Sequence, residues 1–189
     1  MTNHNHAWKE FKANEVSHSM AHYLVTLRDL HASHGYARVS DVARELDVRK
    51  GTVSVQMRQL KEKGFVTEDE NRFLQLTESG ETVARQVIYN RTTIVQFLNK
   101  VLGIERQAAE IDACKIEHLL SPETGHQILA LVQCLLSDDP SAKGLLKKLK
   151  QIKGTDTIPD EVPEPARPAA GVAAGAGKDL EKARSGERR

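Results

Sequence analysis

The chain has 189 residues, is 39% hydrophobic by composition and carries a formal net charge of +1. That length suits one compact domain with an appendage or two small ones, and no apolar run approaches the ~20 residues of a membrane-spanning helix, so no membrane partner is expected. The near-neutral total excludes a global basic field, so any nucleic-acid contact has to come from a local cluster. The N-terminus lacks a basic-then-apolar signal, which points to a cytoplasmic protein whose two cysteines, Cys114 and Cys134, stay reduced and unpaired.

Residues 1–13 are polar, with His4, His6, Trp8 and Phe11, and read as a flexible arm. A first helix is expected from Ser17 or Ser19, either of which can cap it, to Ser33. Met20, Tyr23, Leu24, Leu27 and Leu30 give it an apolar stripe at spacings of three and four. His22 lies off that stripe near the helix start; His18, four residues earlier, shares its face if the first turn reaches that far.

The segment from Gly35 follows. Ser40 is expected to cap a short helix, Asp41 to Leu46, and a tight turn at 47–50 leads into a second helix from Gly51 to Lys63 that buries Val53, Met57 and Leu60. Gly64 stops it. Phe65–Thr67 and Arg72–Leu76 then read as two short strands around an acidic turn. Two helices across a four-residue turn followed by a hairpin is a winged helix-turn-helix. Between Arg49 and Lys63 five basic residues face one acid. Arg49, Lys50, Thr52, Ser54, Gln56 and Arg58, with Arg38 and Ser40 upstream, are the side-chain types that hold phosphates and read base edges when a helix start enters the major groove. The fold class expected is mainly α: this winged helix (three helices and a two-stranded wing, 14–77), then an all-helical unit (78–153).

Thr77 caps a long helix, Glu78 to Leu102, with Val83, Val87, Ile94, Leu98 and Val101 along one seam and Gly103 at its end. Glu105 to Leu120 makes the next helix. In it Glu110, Cys114, Glu117 and His118, at i, i+4, i+7 and i+8, fall on one face. Carboxylate, thiolate and imidazole together form a transition-metal donor set. Taken alone, the pattern is that of an ordinary amphipathic helix, and the metal reading depends on the rest of the chain. Ser121-Pro122 opens a strongly apolar helix to Ser137 whose excess of Leu and Ile is read as a dimer interface, with Cys134 as a packing residue. A last helix, Ser141 to Lys153, turns Leu145, Leu146, Leu149 and Ile152 inward. From residue 154 four of the six prolines precede an Ala/Gly run and a charged end, the composition of a disordered tail.

This layout resembles the diphtheria-toxin-repressor family of metal-dependent transcription factors, from about Met20 to Ile152. G-Y-A-R-V-S-D at 35–41 is similar to its manganese-transport-regulator branch, and C-K-I-E-H at 114–118 to its iron-responsive branch. The resemblance implies a winged helix followed by a metal-binding and dimerisation domain, without the SH3-like third domain of some members. It implies metal ligands at Cys114, Glu117 and His118, and a fourth at His22, where the family has Met or Asp. Glu110 aligns with an ancillary donor. Val25, Arg91 and Val95 stand where other members carry donors, and none of the three can ligate. The implied site is therefore mononuclear, with Arg91 expected to pair with Glu110 in place of an ancillary ion.

The expected function is a metal-dependent repressor of metal-uptake genes, acting as a homodimer on a palindromic operator in double-stranded DNA. Fe(II) or Mn(II) is the expected corepressor, with Zn(II) also compatible with the donors. The alternatives are a metal-independent winged-helix regulator with a decayed site, an interaction module with a vestigial winged helix, and an enzyme using Cys114 and His118. The last lacks an oxyanion hole or Gly-rich loop, so no enzymatic activity is expected.

Overall fold

A computed structural model of the chain describes residues 16–151. The expected N-terminal arm and C-terminal tail lie outside the described residues. Helix α1 (His18–His34) starts at Ser17, whose hydroxyl accepts from the Met20 amide, and ends at Gly35 in the left-handed region. Its stripe of Tyr23, Leu24, Leu27 and Leu30 is the spine of the first core. Helix α2 (Val39–Glu45) begins two residues earlier than expected. Its start is fixed by the Asp41 carboxylate accepting from the Arg38 amide at 3.1 Å, so Ser40 lies inside the helix and is not its cap. Asp47, at φ 51°, turns the chain into α3 (Lys50–Glu62), which buries Val53, Met57 and Leu60.

The wing is a single antiparallel pair, β1 (Val66–Glu68) and β2 (Leu74–Leu76), with Val66 opposite Leu76 and Glu68 opposite Leu74. Asp69 closes its tip by accepting from the Asn71 and Phe73 amides. The wing is tied to the helices on both sides. His31 Nε2 meets the Leu74 carbonyl oxygen at 2.7 Å, and the Leu74 amide donates to Ala37.

Thr77 caps α4 (Glu78–Gln96), the longest helix among the described residues. Its first turn presses on the wing base: a Cβ at Gly80 would sit 2.0 Å from the Phe65 carbonyl oxygen, so only glycine fits. Beyond Gln96 the helix does not stay regular to Leu102 but widens into a π-helical turn, Phe97–Val101, a local form frequent at functional sites. Helix α4 packs against α1, α5 (Arg106–Ile116) and α6 (Pro122–Leu135), and α7 (Pro140–Gln151) packs on α6. The α5 contact is close because the buried stripe is Ala109 and Ala113 at i and i+4. Helix α5 ends at Ile116, four residues short of the expectation, and Glu117 caps it.

The apolar helix α6 buries only Val132 and Gly125. Leu131 and Leu136 are exposed, as is Leu145 of α7, which was expected inward. Cys134, expected to be packed away, is exposed as well. One chain cannot cover this face, which is what a helical dimer surface looks like before its partner arrives. Among the described residues no helix is long and apolar enough to cross a membrane.

Candidate metal centre and nucleic-acid interface

The start of α1 meets the end of α5. His22 Nε2 lies 3.2 Å from Cys114 Sγ. His18, one turn earlier and on the same face, stacks edge-on against His22 with ring centroids 4.5 Å apart. One ligand-type atom from each of His18, His22 and Cys114 falls within 4.8 Å of the others. His118 is adjacent, its ring centroid 5.1 Å from that of His18. Burial, helped by the charges of His18 and Arg91, lowers the His22 pKa below its ordinary value, and burial first and His18 second do the same for His118. Both imidazoles are thus biased to the neutral form that ligates metals. The donor set fits a divalent transition ion: two imidazoles and a thiol converge from different elements, and each offers a lone pair.

Two of the expected ligands are engaged by other partners. Glu117 is fully buried, but both its oxygens are taken by Arg91, Nε to Oε2 at 2.5 Å and Nη2 to Oε1 at 2.8 Å. The hydrogen bond to Glu117 holds the Arg91 guanidinium charged even more firmly than usual, against the opposing effect of burial. Glu110 is exposed and pairs with Arg106 on its own helix at 2.8 Å. The expected Arg91–Glu110 pair is therefore corrected to Arg91–Glu117. Glu117 follows Ala109 and Ala113 on the inward stripe, whereas Glu110 is on the outer face. The Arg91 Nη2 also reaches Cys114 Sγ at 3.9 Å. Beside the cluster a cleft of about 810 Å³ opens between α4, its π-helical turn and α5, lined by Val95, Asn99, Ile111 and others. The ligand-type residue that the motif reading did not select is His18; its i, i+4 relation to His22 was the available signal.

Behind the site, Asn90 is buried and donates to the carbonyl oxygens of Glu117 (2.7 Å) and Leu120 (3.1 Å), which fixes the turn after α5. A Cβ at Gly125 would fall 2.4 Å from Asn90 Oδ1, so α6 needs glycine where it crosses this turn.

At the other end of the winged helix, Arg49, Lys50, Thr52, Ser54 and Arg58 are exposed on α3 and its cap. The Ser54 hydroxyl donates to the Lys50 carbonyl oxygen. Gln56 is only half-exposed, and its Oε1 is buried without a hydrogen-bond partner among the described residues, so its acceptor does not join the open face. Ser40 is half-buried on α2. Arg38 lies 4.4 Å over the Phe73 ring, which anchors it at the wing.

A winged helix joined by metal-type donors to a second helical unit places the protein among metal-responsive DNA-binding proteins. Residues 15–73 match the family model for the iron-dependent repressor N-terminal DNA-binding domain, and residues 77–142 match that for the iron-dependent repressor metal-binding and dimerisation domain. The HTH-type transcriptional regulator MntR of Bacillus velezensis is 32% identical over 143 residues, covering 76% of this chain and 97% of that protein. MntR of Bacillus subtilis is 32% identical over 127 residues, covering 67% and 89%. The fold is similar to that of T. acidophilum IdeR (TM-score 0.50, 24% identity, 59% of this chain) and of the manganese regulator SloR (TM-score 0.54, 19% identity, 60% of this chain). The chain spans about half the length of those two solved chains, 52% and 53%. This chain belongs to the iron-dependent, or diphtheria-toxin-repressor, family of metal-dependent transcriptional regulators.

Proposed function

We propose that the chain is a metal-responsive repressor that binds operator DNA as a homodimer, with a divalent ion, Fe(II) or Mn(II), as corepressor. Those two ions are the ones named by the matching family models and by the manganese regulator among the similar structures. The observation that carries the reading is the 3.2 Å contact of His22, on the first helix of the DNA-binding unit, with Cys114, on the helical unit. A bound ion supplies a crosslink there between α1 and α5. Helix α1 also carries Leu24 and Leu27 into the winged-helix core and His31 onto β2, so its orientation is passed to the whole DNA-binding unit. The exposed apolar face of α6 supports dimerisation. In a dimer, the angle between α1 and α5 sets the spacing of two α3 helices, which have to match half-sites about one helical turn apart. Ligand binding shifts that arrangement only by its preference for the DNA-competent one, and each tenfold gain in DNA affinity needs ~1.4 kcal/mol of coupling. Arg49, Lys50 and Arg58 act on phosphates, and Thr52 and Ser54 face the bases. A regulator of this kind works beside the chromosome, in the cytoplasm, and performs no catalysis. The target genes are those of metal uptake. Fluorescence anisotropy of labelled promoter DNA, with Fe(II) under anaerobic conditions, Mn(II), Zn(II) or chelator, tests the reading. Binding that tightens with metal supports it, and binding indifferent to chelator contradicts it.

A further inference from the structure

Resting on the metal-regulator reading, we propose that this chain holds its ion with His18, His22 and Cys114, and that Arg91 occupies Glu117 in the ion's stead. His18 is part of a capped helix, because Ser17 accepts from Met20 and so fixes the first turn of α1. That turn sets His18 and His22 at i and i+4, on one face and directed at Cys114. Their ligand atoms and the sulfur lie within 4.8 Å of one another. A tetrahedral ion with bonds of about 2.0–2.3 Å to nitrogen and sulfur needs donors separated by ~3.4–3.7 Å. His22 and Cys114 already stand at 3.2 Å, and His18 is exposed and turns about its side-chain bonds without displacing the core.

Glu117 is in the opposite position. It is buried on the inward stripe of α5, and Arg91 holds both oxygens. Ligation by Glu117 would have to strip a guanidinium from a carboxylate that has no access to water, leaving the cation beside the incoming ion. With Arg91 in place, the charge that Glu117 offers is already neutralised. What remains is two imidazoles and one thiolate, with no carboxylate and with His118 beside them as a further imidazole. Such a set narrows the choice between Fe(II) and Mn(II) to Fe(II), with Co(II) and Zn(II) also accepted, over the oxygen-seeking Mn(II). Arg91 is then a fixed counter-charge that shapes the selectivity of the site, not a remnant of a second one.

Cobalt(II) titration of the full-length chain, reduced and anaerobic, tests this through the thiolate-to-cobalt charge-transfer absorption and through competition by Zn(II) and Mn(II). Wild type is expected to show the band, to lose it in Cys114→Ser, and to yield its cobalt to Zn(II) far more readily than to Mn(II). His18→Ala is expected to weaken cobalt binding at least about tenfold, and the double variant Arg91→Met with Glu117→Met, which removes both charges together, to change it by less than about twofold. His18 is exposed, so His18→Ala does not depend on the core for folding, and it decides the assignment even if the double variant fails to fold. Unchanged cobalt affinity in His18→Ala, with wild-type binding intact, overturns this ligand assignment and leaves the regulator reading standing. A wild-type chain that takes up none of cobalt, zinc, manganese or iron overturns both.

Discussion

Replacing Arg91 by Met keeps the aliphatic stem and removes the guanidinium from a carboxylate with 0% side-chain exposure. Two charge-assisted hydrogen bonds disappear, at 2.5 and 2.8 Å. Breaking a buried pair by removing one partner costs about 3–5 kcal/mol, because the other charge is left without compensation. Arg91 is itself 36% exposed, so solvent screens part of the pair and the expected loss is nearer ~2–3 kcal/mol. For a domain of this size that corresponds to a fall in Tm of about 6–15 °C. Urea and thermal denaturation with chelator present measure it without contributions from bound metal. The double variant Arg91→Met with Glu117→Met removes both charges and is expected to recover most of the loss, since apolar replacement of both partners is close to neutral. In the single variant Glu117 is released, so added metal should stabilise Arg91→Met more than wild type. A loss under ~0.5 kcal/mol in Arg91→Met would refute the reasoning, because the pair would then behave as a surface salt bridge.

Asn90→Ala removes the donor to the carbonyl oxygens of Glu117 and Leu120 and is expected to destabilise the fold by about 1–3 kcal/mol, read by urea denaturation. Gly80→Ala places a methyl 2.0 Å from the Phe65 carbonyl oxygen and should cost at least ~1–3 kcal/mol as α4 is pushed off the wing base, visible in the same assay. The His22 and His118 pKa values are lowered in the folded chain, so the unfolded chain binds more protons below about pH 6.5. Their contribution to metal-free stability is complete above that pH and is lost as pH falls through the lowered folded values. The loss should be smaller in His22→Gln, measured by Tm against pH in chelator. Arg49→Ala and Lys50→Ala should each weaken DNA binding on every sequence and reduce the salt slope by about one, read by anisotropy across salt concentrations.

The helices and the wing were legible because their signals are local. Leu24, Leu27 and Leu30 repeat at helical spacing, Ser17, Thr77 and Ser121 are capping residues, and Gly35, Gly64 and Gly103 occupy the left-handed region. Boundaries shifted where a side chain reached back over several residues, as Asp41 does to Arg38. The geometry of the candidate metal site was only half legible. Its motif named Cys114 and His118, but the helical-wheel reading put Glu110 and Glu117 on the same face as Cys114. The structure separates them, because the close packing of Ala109 and Ala113 on α4 turns Glu117 inward and the helix stops at Ile116. Which acid Arg91 would meet is a tertiary fact that helical spacing alone does not contain. The π-helical turn at Phe97–Val101 has no proline or glycine inside it to announce it. His18 was visible as a neighbour of His22, yet its value as a donor emerged only once the start of α1 was seen to meet α5.

In the proposed mechanism, ligands shared between α1 and α5 make DNA binding depend on metal. Its most direct test is the ratio of operator affinities with and without saturating metal, compared between wild type and His22→Ala by anisotropy at fixed salt. The expected result is a ratio of at least about ten in wild type that collapses toward one in His22→Ala, while metal-free affinity stays the same. A ratio that survives in His22→Ala would show that metal acts on DNA binding without these shared ligands.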